Sequence, residues 1–229
     1  MLITSISGIR GTIGGTEGEG LTPHDIVRFA TGYASWVKAA SGQDRPTVVV
    51  GRDARLSGEL VRDCLVGTLN AMGVNVLDLG LSTTPTVELA VPEEEAAGGI
   101  ILTASHNPKQ WNALKLLGPS GEFLNAEEGE RVLELASKPA VYAEINDIGF
   151  TEHMAGWMET HVDHALDLEW VDAEAVRTKK LKVAVDAVNS TGGIIMPMLL
   201  EALGCEVVEV NCDPTGHFAH NPEPLPAHL

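Results

Sequence analysis

The sequence predicts an α/β protein: a mixed, mainly parallel sheet flanked by helices, followed by a second, incomplete unit of similar topology. Three observations carry this. Short Val-, Ile- and Leu-rich runs alternate with stretches of helical period, the order that builds a parallel sheet covered on both faces. Cap and turn residues punctuate the changes of period. A helix–Gly–strand phrase also occurs twice, as "GTLNAMGVNVLDL" and again as "LLEALGCEVVEV".

The elements follow in order. After a Gly-rich opening, Thr22 reads as an N-cap, Pro23 as the first helical residue and Asp25 as a favourable first-turn charge. Ile26, Phe29, Ala30, Tyr33, Trp36 and Val37 then share one helical face. Residues 47–51 ("TVVVG") read as a buried strand. Ser57 is placed to cap the next helix, with Leu60, Val61, Cys64, Leu65, Thr68, Leu69 and Met72 as its apolar face and Gly73 as its stop. "VNVLDLG" reads as a strand, "TPTVELAV" as a short helix with Pro85 near its start, and "GGIIL" as another strand. "ALKLLGPSGEFL" reads as a hairpin turning at Gly118–Gly121, and Asn125 caps "AEEGERVLELASK".

A second unit starts near Lys182: strand and turn in "KVAVDAVNSTGG", helix to Gly204, strand in "CEVVEV". Each unit carries His-Asn-Pro, at His106–Pro108 and His220–Pro222, which suggests an internal duplication. The expected division is 1–145 for the first domain, 146–180 for linking helices and 181–229 for an incomplete second domain. Two strands alone rarely make a stable sheet, so the chain reads as part of a longer protein. His161 and His164 share a face of the linker near Asp163 and Asp167. That pattern suits either a metal site or, more commonly, a solvated face.

Charge and composition narrow the function. The chain has 229 residues, with 32 acidic against 15 basic side chains and a net charge of −17. A nucleic-acid surface is disfavoured, because a phosphate backbone needs a basic footprint. No apolar run approaches the roughly 20 residues of a membrane helix, and the start has no basic and apolar leader pattern. Cys64, Cys205 and Cys212 have no CxxC spacing, and three unpaired thiols suit a reducing, cytoplasmic setting. There is no GxxxxGK[ST], no GxSxG and no HExxH.

Three polar clusters remain. In "SGIRGTIGG", Arg10 stands between glycines, where it could grip a phosphate or be a surface Arg on a Gly-rich turn. "GRDARLSGE" follows a strand, so Arg52, Arg55 and the helix start near Ser57 could face an anion; the plainer reading pairs Asp53 with a neighbouring Arg. In "TASHNPKQWNALK", Pro108 keeps Asn107 out of helical geometry, and Ser105–Pro108 reads as an ordered loop at a strand end. Adjacent side chains of an extended segment point opposite ways, so His106 is poorly placed as a base for Ser105. A phosphorylated Ser needs cations and N–H groups around it instead, and Lys115 could supply charge or move a proton. The second His-Asn-Pro follows Phe218 and Ala219 and has no hydroxyl before its His.

Together "GIRGTIG", "GRDARLSGE", "TASHNP", "NALK" and "VAVDAVNSTGG…PTGHF…NPEP" resemble the α-D-phosphohexomutases, which include phosphoglucomutase, phosphomannomutase and phosphoglucosamine mutase. Ser7 precedes the first motif, where bacterial phosphoglucosamine mutases usually carry Asp. The resemblance covers nearly the whole chain but only the family's N-terminal half. It implies a phosphoserine at Ser105 that exchanges its phosphoryl group with a hexose phosphate through a bisphosphorylated intermediate. Phosphate thereby moves between C1 and C6. It implies proton transfer or charge stabilisation by Lys115, phosphate binding by Arg10, loop shaping by His106 and Asn107, and loop support by Arg52. It also implies Mg²⁺ on the Ser105 phosphate, with the other ligands and the sugar-binding domains expected beyond Leu229. Phosphoglucosamine mutase is the favoured member, with phosphomannomutase, phosphoglucomutase or an inactive phosphosugar- or partner-binding fragment as alternatives.

Overall fold

The structure, a computed structural model, describes residues 1–5 and 8–227. Ser7 lies outside them. The first unit holds a seven-stranded mixed sheet in the order β1-β2-β6-β5-β3-β4-β7. Its strands are β1 (Leu2–Ser5), β2 (Gly8–Thr12), β3 (Thr47–Arg52), β4 (Asn75–Leu81), β5 (Gly98–Leu102), β6 (Trp111–Leu117) and β7 (Thr151–His153). β5, β3, β4 and β7 pair in parallel; β6, β2 and β1 extend the sheet by antiparallel pairing.

Alternation along the strands sends side chains to two helix layers. Val48, Val50, Ile100, Leu102, Leu114 and Leu116 pack under α1 (Pro23–Ser41), α2 (Gly58–Ala71) and α4 (Ala126–Ala136). Val49, Ile101 and Leu117 face the other way, under α3 (Thr84–Glu93) and Trp157 of α5 (Trp157–Leu166). The connection β3–α2–β4 thus lies on one face and β4–α3–β5 on the other. The chain reverses direction across the sheet at β3 and β5, and ligands gather in the crevice at such a switch point.

The caps explain where two helices begin. Thr22 accepts from the Asp25 backbone N–H and Asp25 caps back, a capping box that Asn125 and Glu128 repeat at α4. Ser57 departs from expectation: its backbone is already helical and its side chain makes no cap bond. Its Oγ accepts from Asn112 Nδ2 at 3.0 Å instead. Leu60, expected on the buried face of α2, is half exposed. α3 continues through Pro92 to Glu93. The hairpin is one-sided: the turn closes through Gly118 and Glu122, but its second arm is a single bridge, Leu117 to Phe123.

Two further departures lie at the sheet edges. The Gly-rich opening forms strands β1 and β2 rather than a turn, with Ile9 buried opposite Leu114. A Cβ on Gly8 would fall 2.3 Å from the Leu114 carbonyl oxygen, so the glycine is what lets β2 lie against β6. Within 146–180, besides α5 and α6 (Ala173–Lys179), β7 adds a parallel strand to the first sheet.

The second unit pairs β8 (Lys182–Asp186) in parallel with β9 (Glu206–Val210), with α7 (Gly192–Ala202) between them in sequence. Ile195 of α7 packs against Met158 and Val162 of α5, which ties the two units. Among the described residues, no helix is long and apolar enough to cross a membrane.

Candidate active site

Two loops leave the sheet side by side at the switch point. Arg52 at the end of β3 lies opposite Leu102 at the end of β5, and the Asp53 N–H bonds the Leu102 carbonyl at 3.0 Å. The first loop then turns inward at Arg55, one of the largest fully buried side chains. A guanidinium has five N–H donors and cannot shed its charge. Here all five are used: Nε on Asp53 at 3.0 Å, Nη1 on the carbonyls of Pro108 and Trp111 at 2.9 Å each, and Nη2 on those of Ser105 at 2.7 Å and Asn107 at 2.8 Å. Burial pulls the Arg55 pKa down, and Asp53 pushes against it.

Asp53 fixes the second loop by another route. Its Oδ2 accepts from Thr103 Oγ1 at 2.6 Å, and Thr103 Oγ1 accepts from the Ser105 N–H at 3.0 Å. Asn107 closes a tight turn, with its backbone N–H and its Nδ2 both on the Ala104 carbonyl. Ser105 is therefore not extended. Its φ is +55°, a left-handed conformation uncommon for a residue with a Cβ and kept only where surroundings over-determine it. This corrects the extended reading of the loop: the turn brings Ser105 Oγ to 3.4 Å from His106 Nδ1, longer than a good O–H hydrogen bond.

Ser105 opens into a cavity of about 240 Å³ that Arg10, His106, Asn107 and Lys115 also line, with Thr103 and Phe123. Arg10 comes from β2 and Lys115 from β6, on neighbouring strands. Lys115 Nζ sits 5.8 Å from the Phe123 ring centroid. Burial lowers the Lys115 pKa; Glu88 and Asp53 oppose that, and Arg55 adds to it. Five of the six residues to which the resemblance gives a role thus meet around one cavity. Arg52 is not in its lining. It bonds Glu59 at 3.3 Å and the Asp53 carbonyl at 3.2 Å, and it is Arg55 that grips the Ser105 loop.

Sequence reasoning missed Thr103, Asn112 and Phe123. Asn112 was detectable in kind: a buried Asn on a strand must find partners, and it finds Ser57. His161 is half-buried, with its Nδ1 2.9 Å from Thr86 Oγ1 across the α3–α5 contact. It is therefore only partly solvated, and among the described residues it belongs to no group of three or more His, Cys, Asp or Glu placed to hold a metal.

Comparison with known proteins places this arrangement. The family profile "Phosphoglucomutase/phosphomannomutase, alpha/beta/alpha domain I" matches residues 2–142, and that of domain II matches 159–229. The chain belongs to the phosphoglucomutase/phosphomannomutase family. A Thermococcus kodakarensis phosphoglucomutase/phosphomannomutase is 38% identical over 93% of this chain and 47% of its own length. A Methanopyrus kandleri relative, "Probable phosphoglucosamine mutase", is 31% identical over 97% of this chain and 46% of its own length. The crystal structure of a candidate phosphomannomutase from Thermus thermophilus superposes with a TM-score of 0.84 at 27% identity, covering 99% of this chain and 49% of that one. The chain spans about half the length of the curated relatives it matches.

The cation expected for this family finds few ligands here. Mg²⁺ takes an octahedron of oxygens, usually including one or two carboxylates. The described cavity lining has no carboxylate, and among the described residues no group of three or more His, Cys, Asp or Glu is placed to hold a metal. These residues by themselves do not fit a resident Mg²⁺; Ser105 is the one anionic oxygen the cavity could offer once phosphorylated.

Proposed function

We propose that Ser105 is the phosphate carrier of a phosphohexomutase, which moves phosphate between C1 and C6 of a hexose or hexosamine phosphate. One observation carries the reading: a hydroxyl held in a left-handed turn opens into the cavity that Arg10 and Lys115 line, while its own carbonyl is turned away onto Arg55. In the transfer, a sugar hydroxyl oxygen attacks the phosphorus on Ser105. The new P–O bond forms as the Oγ–P bond breaks, and the sugar's proton leaves to a base. The sugar bisphosphate so formed returns its other phosphate to Ser105. Such transfer depends on positioning and on stabilising charge over the phosphoryl oxygens. Arg10 suits the second task. Lys115, with its pKa lowered by burial, is neutral more often than an exposed Lys and suits proton transfer.

Phosphoglucosamine mutase remains the favoured member, with phosphomannomutase and phosphoglucomutase as alternatives; relatives carry all three names. A cytoplasmic setting belongs to this reading, with Cys64, Cys205 and Cys212 as free thiols, as does the division at 1–145, 146–180 and 181–229. Mg²⁺ enters it only as a partner of the Ser105 phosphate whose other ligands these residues do not supply. That shortage favours a second reading, in which the 229-residue chain binds a phosphosugar or a partner without turnover.

One experiment addresses both readings. The chain is incubated with Mg²⁺ and labelled hexose 1,6-bisphosphate, and the label is located by peptide mass. Label on Ser105, absent in Ser105→Ala, supports the carrier; label elsewhere, or none, overturns it for this chain. Net conversion of hexose 1-phosphate to 6-phosphate in the same assay overturns the second reading.

A further inference from the structure

We propose that Phe218, on the 213–220 loop of the second unit, is a positioning residue for Ser105: its ring holds the Arg55 guanidinium against the Ser105–Pro108 backbone. The inference rests on Ser105 as the phosphate carrier, and goes beyond that reading by assigning part of the site to the second unit. The in-plane donors of Arg55 are all taken, by Asp53 and four carbonyls. Only the flat faces of the guanidinium remain to be covered, and an aromatic ring is the side chain that matches such a face. The Arg55 Cζ lies 5.1 Å from the Phe218 ring centroid, and the Arg55 side chain is 0% exposed.

The loop is built to bring the ring there. Gly216 has φ +72°, and a Cβ on it would fall 1.9 Å from the Ala54 carbonyl oxygen. The loop backbone therefore lies directly on the backbone that precedes Arg55. Behind it, the loop is tied to the end of β8. Asn189 Nδ2 donates to the His217 carbonyl at 2.9 Å, the Gly216 N–H donates to the Asn189 carbonyl at 2.9 Å, and His220 Nε2 lies 3.1 Å from Asp186. A continuous path of contacts thus runs from β8 through Phe218 and Arg55 to Ser105. Without the ring, water reaches the guanidinium and competes for its donors. The carbonyls of Ser105 and Asn107 are then held less firmly, and the left-handed turn at Ser105 loses the surroundings that fix it.

The test compares Phe218→Leu and Phe218→Trp with the parent 229-residue chain. The readouts are residue-resolved amide exchange and the rate of Ser105 phosphorylation by hexose 1,6-bisphosphate. In Phe218→Leu, exchange at the Ser105 and Asn107 amides is expected to rise about tenfold, the size of a desolvated ring–cation contact, with phosphorylation falling in proportion. Exchange at Val49 and Ile100 in the central strands should stay unchanged, and Phe218→Trp should restore both readouts. Loop exchange equal to the parent overturns the proposal, as does loosening shared equally by the central strands or failure of Trp to restore the loop. If the parent takes no phosphate, the carrier reading falls, while the exchange comparison still decides the role of Phe218. Should Phe218→Leu not fold, Phe218→Met provides the same comparison.

Discussion

Arg55 Nη2 donates to the carbonyl oxygen of Ser105 at 2.7 Å, although the two residues are 50 positions apart. The bond joins the ends of two neighbouring parallel strands, and three more carbonyls of the 105–111 segment share the same guanidinium. A backbone loop with its carbonyls turned inward onto one buried cation leaves its side chains free to face the cavity. The charge that orders the loop is therefore distinct from the charges, Arg10 and Lys115, that line the cavity itself.

Arg55→Met should destabilise the fold by about 3–5 kcal/mol, because it leaves Asp53 buried without its partner and four carbonyls without donors. Arg52→Met should cost under about 1 kcal/mol, since Arg52 pairs with Glu59, whose side chain is 81% exposed. Urea unfolding of both variants measures the contrast. Equal losses would refute the assignment of loop support to Arg55.

That contrast also shows where the sequence was legible. Helix starts could be read because their signals are local: Thr22, Pro23 and Asp25 sit within four positions, as do Asn125 and Glu128. The strands β3 and β5 could be read because burial on both faces demands unbroken apolar runs. By contrast, nothing local separates Arg52 from Arg55. Which one turns inward depends on carbonyls some fifty residues away. Nor does β2 carry an apolar pattern, since two of its five residues are glycines: Gly8 fits against β6, about a hundred residues on, and Gly11 against Met1 and Leu21. The partnership of Ser105 with Lys115 was implied by the family resemblance of their motifs, whereas the turn that aims Ser105 needed Asp53 and Thr103 in three dimensions.

Lys115 should make stability rise with pH. Burial holds its folded pKa below the ordinary lysine value, with Glu88 and Asp53 only partly offsetting this. Between the folded and unfolded pKa values the unfolded chain binds more protons, so the folded state gains as pH climbs through that window. Tyr33 acts in the opposite direction above about pH 10: its buried hydroxyl, bonded to the Leu117 carbonyl at 2.7 Å, has a raised pKa, and unfolding then releases a proton. Comparing Lys115→Met with the parent cancels the Tyr33 effect. The parent should gain on the variant as pH climbs toward the ordinary lysine value of about 10.4 in urea unfolding. A pH-independent difference would contradict the burial of this amine.

His161 should weaken the α3–α5 contact in acid. Its pKa lies below the ordinary 6.5, first because of burial and then because of His164. The unfolded chain therefore takes up the proton first as pH falls, and stability drains away from 6.5 down through the folded pKa. Protonation would also fix Nδ1 as a donor, so the 2.9 Å contact could persist only with Thr86 Oγ1 as the acceptor. Thermal melts should show the parent losing ground to His161→Gln as pH falls below 6.5. Parallel curves for the two proteins would contradict this.

Thr103 joins Asp53 to the Ser105 amide through a single hydroxyl, donating at 2.6 Å and accepting at 3.0 Å. Thr103→Val keeps the shape but removes both bonds. It leaves a buried carboxylate oxygen short of a donor and the Ser105 N–H without its acceptor, for an expected loss of about 2–3 kcal/mol. Thr103→Ser keeps the hydroxyl and removes one methyl, so it should lose only about 1 kcal/mol. In an Asp53→Asn background the carboxylate is gone, and the further loss from Thr103→Val should shrink by about 1–2 kcal/mol, as it does for residues in one network. Amide exchange at Ser105 should accelerate in Thr103→Val and not in Thr103→Ser. Full additivity in the double-mutant cycle, with Ser105 exchange unchanged, would mean that the left-handed turn is held by Arg55 alone.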